Sequence, residues 1–107
     1  MRSQWSRLGP VCTALWLAAP PAAAQNAQAL QLRSLAATCA NCHGTEGRAV
    51  EGSAVPGLAG MPAAYLTEQM KAFKAGTRSA TVMHQLAKGY SDAQIDQVVA
   101  YFAAQKK

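Results

Sequence analysis

A chain of 107 residues, half of them hydrophobic, holds one core and leaves no room for a second independent domain. Ten Lys and Arg face five Asp and Glu for a formal charge of +5. No Lys/Arg-rich run occurs and aromatics are only 7% of residues, which excludes a nucleic-acid-binding surface.

The first element in chain order is a targeting segment. Arg2 and Arg7 precede an apolar run, Val11 to Ala19, that ends in Pro20-Pro21-Ala22-Ala23-Ala24, the pattern of a secretory signal peptide. Ala22 and Ala24 fit a small-residue cleavage site, so residues 1–24 are expected to be removed and Gln25 to begin a periplasmic protein. The run is too short to span a bilayer, and no stable membrane insertion is expected after cleavage. Cys12 follows Pro10 and Val11 rather than small residues, and the apolar run comes after it, so it reads as an ordinary signal residue. Cleavage leaves residues 25–107 as a single domain of 83 residues, with eight basic side chains against five acidic ones, a net of +3. At that size a hydrophobic core alone gives only a few kcal/mol, and a further centre of packing is expected.

In the mature part, Ala27 to Ala40 contains Leu30, Leu35 and many Ala with no Gly or Pro, which predicts a helix whose apolar stripe leads into Cys39. Gly44 to Gly60 holds five Gly and Pro56 among small and polar residues, a long loop of the kind that surrounds something. A second helix is expected from Pro62 to Ala75, with Leu66, Met70 and Phe73 on one face and Gly76 capping the end. Thr77 to Gly89 reads as a connection with room for one helical turn, and it carries Met83 and His84. The last helix starts at a Ser91/Gln94 capping box, runs to about Gln105 and turns Ile95, Val98, Val99 and Phe102 inward. No strand pattern or repeat is present, so the fold class is all-α.

Cys39-Ala40-Asn41-Cys42-His43 is a C-x-x-C-H motif, the attachment pattern of c-type haem. Two thiols three positions apart on a helical turn point to the same side and can reach two vinyl groups on one porphyrin edge, while His43 can place its imidazole on the iron. A thioredoxin-like redox pair uses the same Cys spacing but needs a βαβ context that this pattern lacks. Zinc needs four ligands, and the mature chain offers Cys39, Cys42, His43 and His84 with no second spaced pair. One covalent haem c is therefore expected, and haem-free protein should be poorly folded.

For the sixth iron ligand the candidates are Met61, Met70, Met83 and His84. Met70 recurs with Leu66 and Phe73 at helical spacing and reads as core, and Met61 sits at the helix entry beside Gly60 and Pro62. Met83 lies on the connection, far enough along to cross to the other haem face, and is the favoured ligand, with His84 its competitor. His/Met ligation raises the haem potential and closes the iron to small molecules, which suits electron transfer, whereas an open iron would suit ligand binding or peroxidase chemistry. No general base, paired carboxylate or nucleophile neighbours either ligand, so the chain is expected not to be an enzyme on its own.

With these residues in place, Cys39-Ala40-Asn41-Cys42-His43-Gly44, Pro56-Gly57-Leu58-Ala59-Gly60 and Gly76-Thr77-Arg78 before Met83 resemble the small class I cytochromes c over nearly all of Leu35 to Ala104. The resemblance implies the class I cytochrome c fold, helices and loops wrapped around one covalent haem, with the helix before the motif crossing the last helix. It also implies that the Pro56 carbonyl orients the iron-ligating His43. More narrowly, Ala80 to Tyr90, with Met83-His84-Gln85 followed by Ala87-Lys88-Gly89-Tyr90, resembles the cytochrome subunit of flavocytochrome c sulfide dehydrogenase. That resemblance implies an FAD-containing sulfide dehydrogenase partner that passes electrons singly to this haem, making the chain a subunit of a sulfide:cytochrome c oxidoreductase. The alternative is a free soluble carrier shuttling electrons to a terminal oxidase or reductase.

Overall fold

The computed structural model describes residues 21–107, in the order α1 (Pro21–His43), a 3₁₀ turn (Thr45–Gly47), α2 (Ala63–Ala75), α3 (Met83–Lys88) and α4 (Asp92–Ala103). No strand occurs among the described residues. The basic flank and apolar run of the expected signal peptide lie outside them; Pro21 to Ala24 form the first turn of α1, so the expected cleavage point falls inside that helix. No helix among the described residues is long and apolar enough to cross a membrane.

α4 is the centre of the packing. Ser91 caps it as expected: its hydroxyl accepts from the Gln94 N–H at 3.1 Å, and the Gln94 side chain accepts from the Ser91 N–H at 2.9 Å. Ile95, Val98, Val99 and Phe102, spaced to fall on one helical face, are all buried, Ile95 completely. They form one cluster with Leu66 of α2 and Ala36 of α1. α1 and α2 each pack on α4, and α2 also packs on α3. A small side chain at Ala36 lets α1 approach α4 closely. α4 ends at Ala103, two residues before the expected boundary, where the Gln105 N–H turns back to the Phe102 carbonyl.

α1 departs most from expectation. It is longer than Ala27 to Ala40, running from Pro21 through the whole Cys motif to His43, because neither Gly nor Pro interrupts Ala22 to His43. Among the described residues, its first part, residues 22–31, is exposed throughout. Leu30 is 67% exposed, so the apolar stripe expected to begin there starts at half-buried Leu32 and Leu35 and becomes fully buried at Ala36. The helix stops at Gly44, whose φ of 85° is open to glycine and whose added Cβ would lie 1.9 Å from the Arg48 carbonyl oxygen.

α2 begins one residue after Pro62 and ends on Gly76 in the left-handed conformation, as a C-terminal glycine cap should. The long loop before α2 is pinned at several points. The Gly47 carbonyl accepts from the Leu58 and Ala59 N–H groups at 2.7 and 3.1 Å, and the Gly60 N–H donates to the Phe102 carbonyl at 2.9 Å. Gly47 itself is buried, and a Cβ there would come within 2.8 Å of the Phe102 ring.

Candidate functional site

A cavity of about 400 Å³ opens between the end of α1, the Val55–Met61 part of the loop, α2, α3 and the inner face of α4. That volume lies in the range of about 300–1,000 Å³ typical of cofactor pockets. Its walls are mostly apolar, with Leu58, Leu66, Phe73, Val98, Val99 and Phe102 prominent among them. Tyr65, Val82 and Leu86 also line it while remaining 43%, 51% and 49% exposed, so they form an apolar rim.

Cys39, Cys42 and His43 all face this cavity, because the last turn of α1 carries them together. Both cysteines are free thiols, Cys39 half-buried and Cys42 exposed. Burial pushes the Cys39 thiol pKa up, with the Thr38 hydroxyl beside it opposing in part, so this thiol is held protonated. His43 is the buried polar side chain of the core among the described residues, at 8% exposure. Its Nδ1–H donates to the Pro56 carbonyl at 2.7 Å. That bond fixes the tautomer, leaving Nε2 with a lone pair to offer a metal, the arrangement that orients metal-binding histidines generally.

Met83 lines the cavity, half-buried, as the first residue of α3 rather than part of a loop. Met61 and Met70 line it as well, and both pack against the core cluster. His84 is not part of the cavity wall; its Nδ1 is buried and finds no hydrogen-bond partner among the described residues. Arg78 reaches the cavity, whereas exposed Lys88 does not. The Arg78 guanidinium bonds to the Gln69 side-chain oxygen and lies over the Phe73 ring, 4.6 Å from its centroid. Gln69 and Arg78 thus make one polar corner in an apolar pocket.

One contact in the wall had no sequence signal. Thr38 and Tyr90 meet across 52 positions, hydroxyl to hydroxyl at 2.7 Å, and both line the cavity. Tyr90 closes the Ala80–Tyr90 resemblance but nothing there points to Thr38, and only the packing of α1 beside the α3–α4 turn brings them together.

The donor set fits haem c: two free thiols on one helical turn, a histidine with its outer nitrogen available, thioethers lining the same cavity, apolar faces for a macrocycle, and a cationic corner for its carboxylates. Comparison with known proteins agrees. A family model described as Cytochrome c matches residues 32–106. The chain is 36% identical over 93 residues to a thiosulfate dehydrogenase electron acceptor of Thiomonas intermedia, covering 87% of this chain and 37% of that protein. It is 38% identical over 68 residues to the cytochrome subunit of sulfide dehydrogenase of Chlorobaculum tepidum, covering 64% of this chain and 60% of that one. It is 38% identical over 72 residues to cytochrome c-554(548) of Halomonas halodenitrificans, covering 64% of this chain and 86% of that one. Among solved structures, cytochrome c4 of Acidithiobacillus ferrooxidans superposes with a TM-score of 0.58 at 38% identity, over 62% of this chain and 37% of that one. The chain therefore spans 37% and 60% of the length of the first two relatives.

Proposed function

The chain belongs to the cytochrome c family, in its class I form, and from that premise we propose that it is the periplasmic haem subunit that accepts electrons from a flavin-containing sulfide dehydrogenase. In this reading residues 1–24 are a cleaved signal, Cys39 and Cys42 hold the haem by thioethers, and His43 and Met83 are the axial iron ligands. Bound haem supplies a one-electron ferric/ferrous couple. The chain itself is an electron-transfer protein, not an enzyme.

The observation that carries the site reading is the His43–Pro56 hydrogen bond on the wall of an apolar cavity that Met83 also lines. The Pro56 carbonyl holds the His43 ring and raises the basicity of Nε2. The Met83 thioether favours the reduced state, and the apolar walls exclude water and disfavour the extra charge of the oxidised one. Gln69 and Arg78 would receive the haem carboxylates.

The flavoprotein partner is supported by the Ala80–Tyr90 resemblance and by two relatives named as electron acceptors or cytochrome subunits of sulfur-compound dehydrogenases. The exposed apolar rim of Tyr65, Val82 and Leu86 is where such a partner would seat. One observation favours the free-carrier reading instead: this chain covers 86% of cytochrome c-554(548), so that relative is little more than the one haem domain.

Tagged holoprotein purified from its own periplasm separates the two. A subunit brings down a stoichiometric FAD protein, and sulfide then reduces the haem in the purified complex. A monodisperse haem protein without flavin, inert to sulfide in the presence of periplasmic extract, overturns the subunit reading and leaves the carrier.

A further inference from the structure

Tyr90 sits on the turn between α3 and α4, half-buried against the core and on the cavity wall. Its hydroxyl lies 2.7 Å from Thr38 Oγ1, and Thr38 directs its own proton to the Leu35 carbonyl at 2.7 Å. Tyr90 is therefore the donor. On the other side, its carbonyl accepts from Lys74 Nζ at 2.8 Å, and the same ammonium binds the Asp92 carboxylate at 2.7 Å. Tyr90 thus links α1 near its C-terminal end to the last turn of α2, and Lys74 extends the link to the start of α4.

Two features place this residue between the proposed iron ligands. Thr38 directly precedes Cys39 in the attachment turn. Tyr90 follows Gly89, which caps α3, and donates its N–H to the Ala87 carbonyl at 3.3 Å; α3 begins at Met83. The Thr38–Tyr90 bond is consequently a tie between the segment that fixes the haem edge and the segment that presents the sixth ligand. The Lys74 bond to the Tyr90 carbonyl is a second hold on the same residue, so that α3 moves only by pulling Tyr90 against both.

We propose that Tyr90 is a positioning residue: its hydrogen bond to Thr38 keeps α3 seated so that Met83 stays on the iron and outside ligands are kept off. The proposal rests on the His43/Met83 reading above. To reach the iron, an outside ligand must displace the Met83 thioether and move α3, and the tie opposes that movement.

Imidazole titration of the ferric holoprotein tests it, read by loss of the far-red absorption band that Met–iron ligation gives. Tyr90→Phe keeps the ring and its packing and removes only the donor; Thr38→Val removes the acceptor, and Thr38→Ser restores it. Tyr90→Phe and Thr38→Val should each bind imidazole about fivefold more tightly than the parent, the factor carried by one hydrogen bond of ordinary strength. The double variant should bind no more tightly than either single one, because both remove the same interaction. Thr38→Ser should bind as the parent does. Tyr90→Phe within twofold of the parent, or single effects that multiply in the double variant, would overturn the role. Failure of the ligand reading shows separately: if the band survives Met83→Ala in an otherwise parental chain, Met83 is not the sixth ligand.

Discussion

The imidazole of His43 is held by the backbone of Pro56, thirteen residues later, through a 2.7 Å bond from Nδ1–H to the carbonyl. A backbone carbonyl on a rigid residue is a more fixed acceptor than a side chain, since proline locks its own φ. Pro56→Ala keeps the carbonyl but frees the loop, at about 0.4–1 kcal/mol through the unfolded state. The expected result is a small loss of holoprotein stability together with faster solvent exchange of the His43 Nδ1 proton, read by NMR. Unchanged exchange would show that the loop is held without Pro56.

Three methionines share the cavity wall, and only one should bind iron. Met83→Ala should abolish the far-red ferric band and lower the reduction potential, while Met61→Ala and His84→Ala keep the band. Loss of the band in Met61→Ala would move the ligand to the helix entry.

The Ser91 cap serves the helix that carries most of the core. Ser91→Ala leaves the Gln94 N–H without its acceptor and should cost about 1 kcal/mol. For a domain of this size that is a fall in Tm of about 4–8 °C, measurable by thermal melting of the holoprotein. Gln94→Ala should lose less, because the Ser91 half of the box remains.

Acid should act through Lys74 and Asp92. A hydrogen bond from Lys74, and then its charge, hold the Asp92 carboxyl pKa below its ordinary value. A depressed carboxylate pKa means that the pair's contribution is present above the unfolded-state value and lost as pH falls through the folded-state value. The effect is small because Asp92 is exposed. Thermal melts should therefore show parent and Asp92→Asn converging as the solution is acidified through and below the carboxylate range, with the parent the more stable at neutral pH. A constant gap would assign the difference to something other than this charge.

Haem removal should undo the fold. The buried cluster is only six side chains, from three helices arranged around the cavity, so without the macrocycle the apolar walls face water. Apoprotein should lose near-ultraviolet circular dichroism and melt without a cooperative transition. A native-like melt would show that the six-residue core suffices.

What was legible in the sequence was local chemistry. The shared turn of Cys39, Cys42 and His43, the Gly76 cap, the Ser91/Gln94 box and the inward face of α4 each depend on residues within a turn or two of one another, and each is found where the spacing placed it. What was illegible depended on neighbours distant in the chain. Leu30 reads as one end of an apolar stripe, but whether it is buried depends on a partner helix, and α4 covers α1 only around Ala36. Met83 looked like a loop residue because a six-residue helix is too short for periodicity to declare itself. The Thr38–Tyr90 bond spans 52 positions and involves two residue types common on any surface.

The packing of α1 on α4 joins the two ends of the domain. The pocket has no back wall until Val98, Val99 and Phe102 have docked, and Cys39 and Cys42 face it from the opposite end of the sequence. A chain cut anywhere between them would therefore lose the cavity as a whole, since neither piece alone carries enough of its lining to enclose it.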